Sequence, residues 1–254
     1  MRTALVTGGS RRIGAAIVRA LAADGWKVVV HYHASQPEAD ALCQELADAG
    51  HACAAVQADL SRQEDVEGLF PRCLEAHGPI DCLVNNAATF RYDWIGDVTW
   101  ESLHGHFAPN LAAPVLLSRD FAKQRRPGGC IVNILDQKID NLNPDHLSYT
   151  LTKIALSGLT KMLAMALAPH VRVCGIAPGL TLKSDRQTEA SFQRAWHSPP
   201  LGRSSTAEEI AGAARFILAS ASMTGQVIVL DGGENLKGRR RDFGFDPDLE
   251  PDRA

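Results

Sequence analysis

The stretch Thr3-Ala4-Leu5-Val6-Thr7-Gly8-Gly9-Ser10-Arg11-Arg12-Ile13-Gly14 decides the fold. Thr3–Thr7 is an apolar run without polar alternation, the pattern of a strand buried on both faces. It enters a glycine-rich turn, after which Ile13–Ala23 takes up a helical pattern. Between a strand and a helix, such a turn brings backbone N–H groups and the helix N-terminus up to a pyrophosphate. A turn that is glycine-rich for conformational reasons alone is the other reading, and the flanking strand and helix favour the nucleotide. Gly8, Arg11, Arg12, Ile13 and Gly14 are the candidate cofactor contacts here.

The alternation continues along the chain. Strands are expected at Lys27–His31, Ala52–Gln57, Cys82–Asn85, Cys130–Leu135, Val171–Ile176 and Val227–Leu230. Helices are expected at Glu38–Ala49, Gln63–His77, Trp100–Lys123, Tyr149–Leu167 and Ala207–Ala219. This order builds an α/β, Rossmann-type, doubly wound parallel sheet of about seven strands with helices on both faces. Neither a linker nor a repeat divides it, so residues 1–236 read as a single dinucleotide-binding and catalytic domain. Residues 237–254 carry Arg239-Arg240-Arg241 and then five acidic residues, and read as a charged tail, solvated or laid over a neighbour.

A chain of 254 residues, 45% hydrophobic and 22% charged, suits one large α/β domain or two small ones. Its net charge of -3 provides no field for nucleic acid or an anionic membrane. Runs such as Lys27–Val30 and Ile154–Leu167 are too short or too interrupted to span a bilayer. The N-terminus lacks signal-peptide organisation. The six cysteines are scattered without a C-x-x-C pair, which argues against structural zinc or a disulfide framework and for a reducing cytoplasm.

The end of the second strand separates the two nicotinamide cofactors. A site for NAD usually places a carboxylate there for the ribose hydroxyls. Here the chain reads His31-Tyr32-His33-Ala34-Ser35, with no acid before Glu38, while Arg11 adds a fixed cation. Donors and cations suit a 2′-phosphate, so NADPH is expected rather than NADH. His31, His33 and Ser35 are the candidate contacts, with packing as the other role for the histidines. Asp59 and Leu60 close the third strand, and Asn86 and Ala87 follow the fourth, all at the carboxyl edge where ligands collect in such sheets.

Tyr149 and Lys153 stand four residues apart on a helix and share a face. A neighbouring ammonium favours the phenolate and would lower the tyrosine pKa from about 10, making Tyr149 a proton donor near neutrality. Asp136 lies thirteen residues upstream and adds a second titratable group. Asp140, Asp145 and His146 between them read as solvated loop residues. Thr181 to Pro200, with Trp196, reads as a substrate lid.

Taken together, these landmarks resemble the short-chain dehydrogenase/reductase family over nearly the whole chain. They are the glycine loop at 7–14, Asp59, Asn85–Ala87, Asn110, Tyr149–Lys153, Pro178-Gly179 and Asp231-Gly232-Gly233. The resemblance implies NAD(P)H-dependent hydride transfer and a homotetramer. It implies Tyr149 as acid, Lys153 as ribose ligand and tuner, and Asn110 as anchor of a relay water, with Pro178 and Gly179 at the cofactor. Two departures stand out: Arg12 replaces the middle loop glycine and Asp136 the active-site serine. Both are similar to the pteridine reductases and dihydromonapterin/dihydrofolate reductases, which share the Arg, the His-Tyr-His-like strand end and Asn-Asn-Ala-x-x-Phe, here Asn85–Phe90.

By that resemblance Phe90 stacks on a pterin, Arg12 reaches pyrophosphate and pterin edge, and Leu180, Asp136 and Tyr149 complete the substrate site. Three readings follow: an NADPH-dependent pterin reductase, a carbonyl reductase for a ketoacyl, sugar or steroid-like ketone, and a non-catalytic NADPH-binding sensor or scaffold. The partner in the first two is a small molecule, and no metal ligand set is expected.

Overall fold

The computed structural model describes residues 1–184 and 187–245. The strands are β1 (Thr3–Val6), β2 (Lys27–Tyr32), β3 (Cys53–Gln57), β4 (Cys82–Asn85), β5 (Gly129–Ile134), β6 (Val171–Pro178) and β7 (Val227–Leu230). They form one sheet in the order β3-β2-β1-β4-β5-β6-β7, and every pairing is parallel. The helices are α1 (Arg12–Ala23), α2 (Gln36–Asp48), α3 (Gln63–His77), α4 (Trp100–Phe107), α5 (Ala113–Lys123), α6 (Leu147–Leu167), α7 (Glu189–Trp196) and α8 (Ala207–Ala219). The Rossmann-type sheet expected from the sequence is the one observed.

Continuous hydrophobicity is explained by two cores, one on each face of the sheet. Ala4 and Val6 of β1 pack with Val84, Val132, Ile17, Leu21 and Ile210 on one side. Leu5, between them in sequence, points the other way, to Leu83, Ile131, Leu69, Leu117 and Phe121. Successive side chains on a strand alternate in direction, so a strand covered by helices on both faces must be apolar at every position.

Several features differ from these expectations or add to them. Trp100–Lys123 is not one helix: a π-helical turn, Ala108–Ala112, separates α4 from α5, and Ala113 N–H bonds back to Ala108 O. Pro109 cannot donate, and its ring crowds the carbonyl four residues back, so the ladder slips by one residue. The Thr181–Pro200 segment contains α7, whose start is capped by Thr188 Oγ1 accepting from Ser191 N at 3.1 Å; Asp185 and Arg186 of that segment lie outside the described residues. Cys43 and Cys53 are joined in a disulfide, with Cα atoms 5.2 Å apart where α2 lies on the start of β3. That pair removes the cysteine argument for a reducing compartment. Finally, α6 has the length and hydropathy of a membrane span, but a third of that window (33%) is buried inside the fold.

The stretch read as a tail is described as far as Phe245. To that point it folds back on its own chain, with Phe243 buried; residues 246–254 lie outside the described part. Leu83 is fully buried at the centre of the sheet. Leu83→Ala should lower unfolding free energy by about 2–5 kcal/mol in a urea titration, because the rigid sheet cannot close the cavity.

Candidate active site

The glycine loop is held by hydrogen bonds between uncharged groups of Thr7, Gly8, Asn86 and Ala87. Thr7 Oγ1 accepts from the backbone N–H of Asn86 (2.9 Å) and Ala87 (3.0 Å). Asn86 Nδ2 donates in return to Thr7 O and Gly8 O at 2.9 and 3.0 Å. Gly8 has φ +59°, and a Cβ on Gly14 would lie 2.1 Å from Gly8 O, so neither tolerates a side chain. The packed turn brings the backbone close to whatever lies over it. Arg11 precedes α1 without capping it by a side-chain hydrogen bond, which leaves first-turn N–H groups for an anion. This cradle fits a dinucleotide pyrophosphate.

His31 is corrected from cofactor ligand to structural peg. It is buried, its Nδ1 accepts from Gly8 N at 3.0 Å, and its Nε2 donates to Ala58 O at 3.1 Å. Burial holds its pKa down at about 4, so it is neutral and offers no charge to a phosphate. His33 is exposed, with Nε2 3.6 Å from Asp59 Oδ2, and Ser35 shares a 2.7 Å hydroxyl contact with Ser10. These two groups border the same edge. Burial pushes Asp59 upward, but the Ser61 hydroxyl and backbone N–H hold its carboxylate below the usual range. The Leu60 side chain belongs to the core and leaves only backbone for a ligand.

Arg12 also differs from expectation. It sits at φ +57°, and its guanidinium donates to Lys183 O and Leu182 O at 2.9 and 3.2 Å. It ties the segment after β6 to the glycine loop, a role that the sequence did not announce. Pro178 ends β6, and a Cβ on Gly179 would lie 2.6 Å from Ser204 Oγ, so the backbone passes closely there. Leu180 follows at the same edge, half-buried.

Asp136, Tyr149 and Lys153 come together beyond the end of β5. Tyr149 Oη donates to Asp136 Oδ2 at 2.9 Å, and Lys138 N donates to Asp136 Oδ1 at 2.9 Å. Lys153 Nζ donates to Ile134 O at 2.7 Å and lies 5.5 Å from the Tyr149 ring centre. The expected lowering of the tyrosine pKa is overturned. Burial and the facing Asp136 charge raise the phenol well above its ordinary value. Asp136 is raised too, by burial, against the pull of Lys138, Tyr149 and Lys153. Lys153 takes the shift instead, brought down to about 8 by burial despite the attraction of Asp136. The site therefore holds a phenol that keeps its proton beside a carboxyl with raised proton affinity.

Asn110, in the π turn, spends its amide on Thr89 O (2.9 Å) and Thr152 Oγ1 (3.2 Å), and its Oδ1 accepts from Thr89 N at 2.7 Å. It thereby fixes the loop that carries Phe90. Phe90 is half exposed, edge-on to Tyr149 with ring centres 4.7 Å apart, and stacked on His146 at 4.2 Å. His146 and Asp145 are buried, not solvated as their loop position suggested.

Sequence reasoning missed Lys138, Tyr92, Asp93, Arg241 and Asp242. Asp93 accepts from Ser148 N at 3.0 Å and from the Ser148 hydroxyl, holding the start of α6. The signal for the last two was Phe243 and Phe245, since a solvated tail has no use for two aromatic rings.

Comparison with known proteins now fits this geometry. Residues 8–235 match the family model described as enoyl-(acyl carrier protein) reductase. The chain belongs to the short-chain dehydrogenase/reductase family. In structure it is similar to the FolM alternative dihydrofolate reductase 1 of Brucella canis, complexed with NADP. The TM-score is 0.90 at 42% identity, covering 95% of this chain and 96% of that one. It is 34% identical to pteridine reductase 1 of Leishmania tarentolae, over 92% of this chain and 96% of that protein. It is also 35% identical to a 3-oxoacyl-[acyl-carrier-protein] reductase of Synechocystis, over 91% and 96%. The chain is an oxidoreductase of this family.

Lys153 carries the test of these electrostatics. Below about pH 8 the folded chain bears the cost of a buried ammonium. Between there and the ordinary lysine range the unfolded chain binds more protons, so stability rises with pH. Lys153→Met should therefore raise the melting temperature more at pH 7 than at pH 10, relative to wild type. An equal difference at both pH values would contradict the assigned shift.

Proposed function

We propose that the chain is an NADPH-dependent reductase of pterin-type substrates such as dihydropterin, dihydromonapterin or dihydrofolate. The observation that carries this reading is the part-buried hydrogen bond from Tyr149 to Asp136 at 2.9 Å, set beside the half-exposed ring of Phe90. Arg11, His33 and Ser35 would hold the 2′-phosphate side of the cofactor, and the packed glycine loop its pyrophosphate. Two similar structures, from Brucella canis and Brucella suis, are complexes with NADP. When bound, the cofactor supplies the hydride.

The remaining work falls to this chain's residues. Phe90 offers one face to a flat ring and sets its distance from Tyr149. Reduction of a pterin C=N bond puts hydride on carbon and requires a proton at the adjacent nitrogen. Asp136, with raised proton affinity and a phenol donor at its side, is suited to hold that nitrogen and deliver the proton. Lys153 would bind the nicotinamide ribose, and Asn110 would act by holding the Phe90 loop. A serine at 136 could polarise a carbonyl but could not carry a proton in this way.

The similarity to a 3-oxoacyl reductase supports a second reading, ketone reduction by Tyr149 and Lys153 with Asp136 as bystander. NADPH oxidation measured with dihydrobiopterin, dihydromonapterin, dihydrofolate and a ketone panel separates the two. Tyr149→Phe should lower kcat by about 10²–10⁴-fold with NADPH affinity unchanged. Asp136→Ser should abolish most dihydropterin turnover; an unchanged rate would sink the pterin assignment.

We also propose assembly as a homotetramer. Leu151, Ile154, Met162 and Met165 form an exposed apolar stripe along α6, and Met165 is 75% exposed. Such a stripe suits burial against a second copy. Met162→Lys with Met165→Lys should shift the mass seen by light scattering toward dimer or monomer, and an unchanged mass would remove this face from the interface.

A further inference from the structure

His146 stands in the left-handed region, at φ 55° and ψ 49°, where residues with a Cβ are uncommon. A network from the far end of the chain surrounds it. Asp145 accepts from Arg241 Nε and Nη2 at 2.9 and 2.8 Å and from Asp242 N at 2.8 Å. The Asp242 carboxylate meets buried Lys138 Nζ at 2.7 Å and His146 Nε2 at 3.9 Å. His146 Nδ1 donates to Arg91 O at 3.2 Å. Tyr92 sets its ring edge-on to the imidazole at 5.4 Å, and Phe245 covers Tyr92 at 4.5 Å.

The outcome of these contacts lies at Phe90. The imidazole is nearly parallel to its ring, at 17° and 4.2 Å, and so covers one aromatic face. Tyr149 abuts it edge-on at 82°. The ring cannot swing back from the substrate side without displacing His146. His146 in turn is held by its hydrogen bond to Arg91 O and by the rings of Tyr92 and Phe245, the second of which belongs to the C-terminal segment. Lys138, pinned by Asp242, also supplies the backbone N–H that orients Asp136.

We infer that the C-terminal segment Arg241–Phe245 is a specificity element of the chain's own substrate site, acting through His146 as a positioning residue. It fixes the height and tilt of the Phe90 face offered to a flat heteroaromatic ring. The inference rests on the pterin-type reading above. It assigns to the tail a role that neither the glycine loop nor the Tyr149–Lys153 pair requires.

The test uses full-length protein with His146→Asn, His146→Phe and Asp242→Asn, in steady-state kinetics with dihydropterin and NADPH as varied substrates. Asn tolerates the left-handed backbone but removes the ring, whereas Phe keeps a ring of similar size. His146→Asn should raise the dihydropterin KM on the order of tenfold, with kcat and the NADPH KM held to about twofold. His146→Phe should restore the KM to within about twofold, and Asp242→Asn should raise it several-fold. A wild-type KM in His146→Asn would overturn the inference, as would His146→Phe behaving like Asn. An NADPH KM rising in step with the dihydropterin KM would also overturn it, by showing damage to the whole loop. Wild-type enzyme silent toward every dihydropterin would remove the pterin reading itself, and the inference with it.

Discussion

Parallel pairing of strands buried on both faces is the constraint on which everything else depends. Each strand must be followed by a crossover, and each crossover in turn places a helix against a face of the sheet. The carboxyl ends of all seven strands then open at one edge. The glycine loop after β1, Asp59 after β3, Asn86 after β4, Asp136 after β5 and Gly179 after β6 meet there, although they span most of the chain. The constraint also explains why β1, β4 and β5 carry apolar residues at nearly every position.

Within that edge, the site is organised by buried charge. Removing a charge from water is costly unless a partner or a proton compensates it. Three solutions appear side by side. Asp136 gains proton affinity and accepts two hydrogen bonds. Lys153 loses proton affinity and donates to a carbonyl. Lys138, equally buried, keeps a carboxylate partner in Asp242. The first two belong to the site assigned to proton transfer in the proposed function, and the third joins the end of the chain to the turn after β5. His31 shows a fourth outcome, since two neutral hydrogen bonds make its charge unnecessary.

Much of this was legible in the residues. The seven apolar runs gave the seven strands within a residue or two, because two-sided burial leaves an unambiguous pattern. Tyr149 and Lys153 could be placed on one helical face by their spacing, and Asp136 by its distance from them. Other features could not be read in this way. The break in Trp100–Lys123 required Pro109 to be weighed against a long helical pattern. His31 and His33 look alike in sequence, yet one is a buried peg and the other an exposed neighbour of Asp59. Asp145 and His146 read as solvated because loops with acids usually are, and nothing nearby in sequence announced the Arg241–Phe245 segment that buries them.

The sequence by itself determined the sheet, the glycine cradle and the choice of Asp136, Tyr149 and Lys153 as the titratable groups of one site. These follow from local periodicity and from motifs within a few turns of chain. The tertiary structure alone decided which groups keep their charge, where Arg12 reaches, and what stands behind Phe90. Protonation depends on the burial and neighbours of a group, and those neighbours can lie far away in the chain, as Asp145 and Asp242 do at a separation of 97 residues. Local pattern records the faces of an element, but not which distant residue will come to cover them.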